Sequence, residues 1–100
     1  MGRKLAIARE AIRDLDEIWD YIAADSIANA DRFIKRIYEK CREISELDGI
    51  GRKREDLHPG MLSVPFKKYV IFFMRSESSV HIIRILHGAR DIGTIFLKEQ

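Results

Sequence analysis

The sequence has few of the residues that the common kinds of chemical site require. Cys41 is its only cysteine, so an internal disulfide is excluded and a reducing compartment is favoured. His58, His81 and His87 are the only histidines, and neither they nor Cys41 fall at metal-ligand spacing. No glycine-rich phosphate-binding loop or nucleophile elbow occurs. The sequence therefore predicts no metal and no cofactor.

Long hydrophobic runs are also missing. No apolar stretch approaches the ~20 residues of a membrane span, and MGRKLAIARE is too short and too charged for a secretory signal. With 46% hydrophobic and 34% charged residues, the chain can bury a core and does not resemble a disordered segment. We therefore expect one domain over residues 1–100, in the cytoplasm and without membrane contact.

The charges are polarised, although the net charge is only +2. Residues 11–25 carry one cation against five carboxylates, whereas residues 52–68 carry five cations against two carboxylates. This distribution favours an anionic partner for the second half. A solvated surface of mixed charge is the alternative interpretation.

Hydrophobic periodicity predicts a short strand followed by two long helices. Residues 3–8 alternate as in a strand. Apolar side chains at helical spacing predict one helix over about residues 11–22 and, after Ser26 as N-cap, a second helix to about Leu47. Gly49 suits the left-handed conformation that ends such a helix. Two helices joined by so few residues form an antiparallel hairpin.

The second half has the period of β-strands. A polar, basic loop covers residues 51–60. The predicted strands then cover residues 62–66, 69–75 and 80–86. Pro65 has no N–H, so we expect the first of these strands at a sheet edge. The other two are apolar on both faces and should be central, and one or two turns of helix should follow over residues 90–96.

This order predicts a two-layer α+β fold of βααβββ type. The helical hairpin packs on one face of a mainly antiparallel sheet, and a short C-terminal helix ends the chain. We expect the other face to carry Arg84 among Ile82 and Leu86, without a cover of its own. That face would meet either water or a partner.

The basic residues raise the possibility of RNA cleavage without a metal. Such a site needs a cation to stabilise the phosphate and a group to move the 2′-OH proton. His87 could move the proton, but no tyrosine follows Tyr69 to complete the set. The candidate cations are Arg52, Lys53, Arg54, Arg84 and Arg90.

The chain resembles the ParE toxins of bacterial type II toxin–antitoxin modules, within the RelE/ParE superfamily. The stretches that carry the resemblance are DLDEIWDYIA (14–23), ADRFIKRI (30–37), DGIGRKREDLHPGMLSVPFKKYVIFF (48–73) and IIRILHGARD (82–91). The resemblance implies the βααβββ fold and a cytoplasmic toxin. It also implies a ParD-like antitoxin with a ribbon-helix-helix head, whose C-terminal segment buries apolar toxin surface and which alone contacts DNA.

The ParE resemblance further implies inhibition of DNA gyrase by binding, without enzyme activity. RelE-like relatives instead cleave mRNA on the ribosome, and commonly have an arginine and a tyrosine near the C-terminus. Here Gly88 and Ala89 occupy the turn where cations are expected, which favours the gyrase branch. A ribosome-dependent endonuclease and a toxin-like protein with weak or lost activity are the alternatives.

Charge and family position indicate the candidate contact residues. The target-interaction candidates are Arg84, His87, Arg90, Arg52, Lys53 and Arg54. The antitoxin-interaction candidates are Trp19, Tyr21, Ile22 and Tyr69. The alternative for Arg84 is an ion pair with an internal carboxylate, for Arg90 a brace of the turn through Asp91, and for the Trp19 stripe a place in the core.

Overall fold

The computed structural model describes residues 2–98 and shows, in that range, three helices and one five-stranded sheet. The strands are β1 (Lys4–Ile7), β2 (Arg52–Lys53), β3 (Leu62–Phe66), β4 (Tyr69–Arg75) and β5 (Ser79–His87). The helices are α1 (Arg9–Ala23), α2 (Ile27–Glu46) and α3 (Ile92–Lys98). The predicted α+β class and βααβββ order are confirmed. The two-residue β2 is an addition, because it forms inside the segment that the sequence predicted as a loop.

The sheet is mixed, with the strand order β1-β5-β4-β3-β2. β1 runs parallel to β5, and the other three pairings are antiparallel. The strands β4 and β5 are central, as their apolar composition predicted. Because β2 pairs only with Leu62 and Ser63, β3 is an edge strand at Pro65, which confirms that prediction.

Helix α2 begins at the predicted N-cap, but it ends at Glu46 with Leu47 extended as C-cap, so Gly49 is not the residue that ends it. The Ser26 hydroxyl accepts a hydrogen bond from the Asn29 N–H at 3.2 Å, so Ser26 caps α2. Gly49, just after α2, has a φ of 78°, the left-handed conformation for which glycine is suited. The Trp19 Nε1–H donates to Asp31 Oδ1 at 2.8 Å, and this bond joins the two helices.

The first hydrophobic core lies between the hairpin and the sheet. The residues buried there are Ala11, Leu15, Ile18, Ile37, Cys41, Ile44, Ile71, Phe73, Val80, Ile82 and Ile85. Burial raises the pKa of the Cys41 thiol to about 12, so the thiol stays protonated near neutral pH. Cys41 is therefore a packing residue of this core.

The second face of the sheet is covered by the protein's own chain, so the expectation of an uncovered face was wrong. A second core of Leu57, Met61, Phe72, Leu86 and Phe96 lies there. The Phe72 and Phe96 rings meet edge to face, with centroids 5.0 Å apart. A helix as short as α3 has too few positions for periodicity to reveal that its apolar side chains cover a sheet.

Replacing Phe96 tests whether α3 seals this face. Phe96 is 6% exposed and Leu97 is 68% exposed, so the two neighbours are a matched pair. Phe96→Ala should lower the free energy of unfolding by about 3–5 kcal/mol, and Leu97→Ala by less than about 0.5 kcal/mol. Urea titration measures both. Equal losses for the two variants would mean that α3 does not cover the sheet in solution.

Candidate functional site

Arg84 lies in a buried ion pair with α1 and not on the open surface of the sheet. Its Nε donates to Asp14 Oδ2 at 2.8 Å and its Nη2 to Asp14 Oδ1 at 2.9 Å. The two side chains are 11% and 5% exposed. The Ile85 N–H also donates to Asp14 Oδ2, at 2.9 Å. The interpretation of Arg84 as a target contact is therefore corrected, and the alternative, an internal carboxylate partner, is the one observed.

A β-bulge breaks the alternation that had placed Ile82, Arg84 and Leu86 on one face of the sheet. Phe73 lies opposite Ile82, but the next residue, Phe72, lies opposite Arg84, so Ile83 is an extra residue in β5. An extra residue interrupts the alternation of side chains between the two faces. Ile82 consequently packs in the first core and Leu86 in the second, although a simple count places both on one face.

The cations of the second half differ in their surroundings. Arg52 and Lys53 lie exposed on the short edge strand β2. Arg54 donates two hydrogen bonds to the Asp56 carboxylate, at 3.1 and 3.0 Å, and its guanidinium lies 5.7 Å from the centroid of Phe72. These bonds lower the pKa of Asp56. Arg54 thus braces the loop after β2 on the sheet.

Arg52 and His87, two of the residues considered for RNA cleavage, lie on different strands of the sheet. Arg52 pairs with Ser63 of β3. His87 pairs with Tyr69 of β4, and Tyr69 in turn pairs with Phe66 of β3. Three strand spacings and three residues of rise separate the two backbones, which amounts to about 17 Å. Arg52 and His87 therefore project from well-separated positions of the sheet.

The HGARD stretch is an exit turn into α3. His87 Nδ1 accepts a hydrogen bond from the Ala89 N–H at 3.0 Å, and the His87 carbonyl accepts one from the Arg90 N–H at 3.1 Å. The Asp91 carboxylate caps α3 by accepting from the Thr94 hydroxyl at 2.7 Å and N–H at 3.3 Å, and these bonds lower the pKa of Asp91. The Arg90 side chain is left exposed.

An apolar groove opens where the end of α1 meets the turn between β3 and β4. We call it the Tyr21 groove; its volume is about 280 Å³, and it is lined by Tyr21, Ile22, Phe33, Lys67, Lys68 and Tyr69. Three of the four antitoxin candidates, Tyr21, Ile22 and Tyr69, thus line one surface. The fourth, Trp19, does not line the groove and instead bonds to α2.

Aromatic contacts and a tight turn shape the groove. The Tyr69 ring lies 5.8 Å from Phe33 and 5.3 Å from His87, measured between ring centroids. Burial raises the pKa of Tyr69. The turn has Lys67 at a φ of 55°, and the Lys68 carbonyl accepts a hydrogen bond from the Gly88 N–H at 2.8 Å. The end of β5 therefore holds the turn in place.

Two further cavities share Tyr21 with the groove. One, of about 350 Å³, is lined by Tyr21, Lys68, Tyr69 and His87. The other, of about 430 Å³, extends past Ile22 to Ala24, Asp25 and Asn29. Tyr21 itself is 79% exposed. The Tyr21 groove is thus the middle of a longer surface with cations at one end and Asp25 at the other.

Sequence reasoning missed Phe33, Lys67 and Lys68 as members of this surface. Lys67 and Lys68 fell between two predicted strands, and Phe33 fell within the second predicted helix. The available signal was the fold itself, because in a βααβββ order the β3–β4 turn can approach the tip of the helical hairpin. Adjacent lysines at that turn then mark a cationic rim.

The described part of the chain contains no group of three or more histidine, cysteine, aspartate or glutamate side chains placed to hold a metal ion. Over residues 2–98, no helix has both the length and the apolar character that crossing a bilayer requires. The candidate site therefore rests on shape, apolar surface and charge.

Comparison with known proteins assigns the family. The family model for the ParE toxin of the type II toxin–antitoxin system, parDE, matches residues 5–92. The chain belongs to the ParE toxin family.

The chain is also similar to one curated protein and to one solved structure. Toxin ParE3 of Caulobacter vibrioides is 28% identical over 94 residues, which cover 93% of each chain. A solved structure described as a chromosomal ParDE TA system from P. aeruginosa matches with a TM-score of 0.75 and 24% identity. It covers 86% of this ParE-type toxin and 96% of the other chain, and it supports the fold.

Breaking the Asp14–Arg84 pair tests its structural role in the ParE-type toxin. Arg84→Met leaves a buried carboxylate without its charge partner, and Asp14→Asn leaves a buried guanidinium. Each should lower the free energy of unfolding by about 3–5 kcal/mol. Denaturant unfolding followed by circular dichroism measures the loss.

The exposed neighbours of Asp14 provide the control. Arg13→Met and Asp16→Asn lie on the exposed side of α1 and should change stability by less than about 0.5 kcal/mol. A loss below about 1 kcal/mol for Arg84→Met would place the guanidinium in solvent and restore it as a target contact.

Proposed function

We propose that this ParE-type toxin inhibits DNA gyrase by binding, forms or breaks no bond itself, and is neutralised by a ParD-like antitoxin. Residues 1–100 act as one toxin domain in the cytoplasm. The toxin reaches DNA only through the antitoxin complex.

The proposal of inhibition by binding is supported by the positions of the candidate cations. Arg84 is buried against Asp14, and Arg54 is bonded to Asp56. The backbones of Arg52 and His87 are about 17 Å apart across the sheet. The one aromatic residue that follows β5 is Phe96, and its ring is packed in the second core. Arg84 and Arg54 are therefore each held by a carboxylate of the chain itself, rather than presented to a phosphate.

The Tyr21 groove supports a protein partner. Exposed aromatic surface beside apolar walls is typical of protein interaction sites. Tyr21 and Ile27 are 79% and 61% exposed at the tip of the hairpin. The chain shares the fold of a structure described as a ParDE system, and this likeness makes a ParD-like antitoxin the partner to test first. The exposed Arg52, Lys53 and Arg90, with His87, remain the candidates for the target surface.

Purified gyrase provides the direct test. Addition of the toxin at micromolar excess should inhibit supercoiling of relaxed plasmid or accumulate cleaved DNA that is trapped on gyrase. Prior addition of the cognate antitoxin should abolish the effect, because a protein that covers the toxin removes its binding surface. Agarose gel electrophoresis resolves the plasmid forms.

Two outcomes would contradict the proposal. If gyrase keeps full activity at a micromolar excess of toxin, gyrase is not the target. Primer extension on translated mRNA that reveals cuts phased with codons, after induction without antitoxin, would instead establish the ribosome-dependent endonuclease.

A further inference from the structure

We propose that the toxin forms a weak homodimer in which α1 packs antiparallel against α1 of a second copy. The surface is the exposed side of α1, which carries two cations followed by two carboxylates, together with two exposed apolar side chains next to it. This surface is separate from the Tyr21 groove. The inference concerns the toxin alone and does not depend on the proposed target.

The exposed side of α1 carries four charged side chains in two blocks. The residues that α1 buries define its inner side, and they are Ala11, Asp14, Leu15 and Ile18. Successive residues are about 100° apart around a helix, so the opposite side carries Arg9, Arg13, Asp16 and Asp20. We call these four side chains the α1 stripe. All of them are exposed, and within residues 2–98 none forms an ion pair.

The α1 stripe is complementary to itself when one copy is turned end for end. A two-fold axis that crosses the helix halfway between Arg13 and Asp16 places Arg13 opposite Asp16 of the second copy. The same axis places Arg9 opposite Asp20 of the second copy. Symmetry repeats both contacts, so four ion pairs form and the like charges of the stripe are kept apart. A two-fold contact needs the same self-complementary surface on both partners, which favours a second copy of the toxin as the occupant.

Two apolar side chains beside the α1 stripe are exposed. The bond between Trp19 and Asp31 marks positions of α1 and α2 that lie side by side. Two turns further from the tip of this antiparallel hairpin, Ile12 comes next to Tyr38. Ile12 is 45% exposed and Tyr38 is 41% exposed, and neither belongs to the first or the second core. Because Ile12 precedes Arg13 and lies close to the proposed axis, the second copy covers it.

The association should be weak and sensitive to salt. Ion pairs between exposed side chains each contribute little, and salt screens them. The apolar contribution is limited to Ile12 and the ring of Tyr38. A solvated surface of mixed charge, in which the four side chains of the α1 stripe meet only water, is the alternative. It predicts a monomer at every salt concentration.

The dimer leaves the Tyr21 groove open. Tyr21 follows Asp20 directly, so its side chain projects about 100° away from that of Asp20 around the helix. Tyr21 lines the groove together with the β3–β4 turn, whereas Ile12 lies on the flank of the stripe that faces α2. A dimeric toxin therefore carries two open grooves.

Sedimentation equilibrium of the full-length toxin tests the inference. At low salt the unmodified toxin should show a monomer–dimer equilibrium, and the dissociation constant should rise as sodium chloride is added. Arg9→Glu/Arg13→Glu makes the α1 stripe wholly acidic, and Asp16→Lys/Asp20→Lys makes it wholly basic. Each variant alone should have a dissociation constant at least about tenfold higher than the unmodified toxin, because like charges then face each other.

An equal mixture of the two variants is the decisive sample. An acidic stripe is complementary to a basic one, so the mixture should form a heterodimer at concentrations where each variant alone is monomeric. Ile12→Asn should also weaken the dimer, without any change of charge. Circular dichroism should show unchanged helix content in all of these variants, because the substituted positions are exposed.

The control is Arg52→Glu/Lys53→Glu, which changes the net charge as much as Arg9→Glu/Arg13→Glu does. Both control positions are exposed on β2, at the edge of the sheet opposite to β1. The control should dimerise like the unmodified toxin, with a dissociation constant changed less than about twofold, because salt screens distant charges.

The inference is overturned by any of three results. The first is a toxin that stays monomeric at millimolar concentration in low salt. The second is equal dimerisation by the charge variants and the unmodified toxin. The third is a mixture of the folded acidic and basic variants that remains monomeric. The readout does not involve gyrase, so a toxin that dimerises in this way but leaves gyrase active would lose only the proposed target.

Discussion

The position of the helical layer on the sheet depends on the carboxylate of Asp14. It accepts hydrogen bonds from Arg84 Nε, Arg84 Nη2 and the Ile85 N–H, so three donors of β5 converge on one side chain of α1. A paired and fully hydrogen-bonded carboxylate is tolerated at this depth, whereas an unpaired one is strongly unfavourable. This contact therefore permits one placement of α1 over β5. The end of α1 then carries Tyr21 to the β3–β4 turn.

The same contact decides which surface is left for a partner. The pairing of Arg84 removes the central cation from the surface, and α3 covers the opposite side with Phe96. The apolar surface that stays open lies at the tip of the hairpin, around Tyr21 and Tyr69. A toxin of this construction presents a groove and a charged rim, which suits recognition of another protein.

Periodicity was sufficient to predict most of this fold. The hydrophobic periodicity is visible in α1, α2, β4 and β5 because these elements are long enough to show it. The bulge at Ile83 was not predictable, because nothing in VHIIRIL shows where an extra residue interrupts the alternation. The cover formed by α3 was missed because seven residues reveal almost no period. The sequence predicted only part of the groove lining, because Phe33, Lys67 and Tyr21 come from three separate segments of the chain.

Hydrogen exchange at the Ile85 amide tests the role of Asp14 most directly. This N–H donates to a side chain of α1 at 2.9 Å, so its protection reports on contact between the helical layer and the sheet. NMR should find it slowly exchanging in the unmodified protein. In Asp14→Ala it should exchange much faster, provided that the amide of Phe72 stays protected as an internal control. A rapidly exchanging Ile85 amide in the unmodified protein, at neutral pH, would contradict the account.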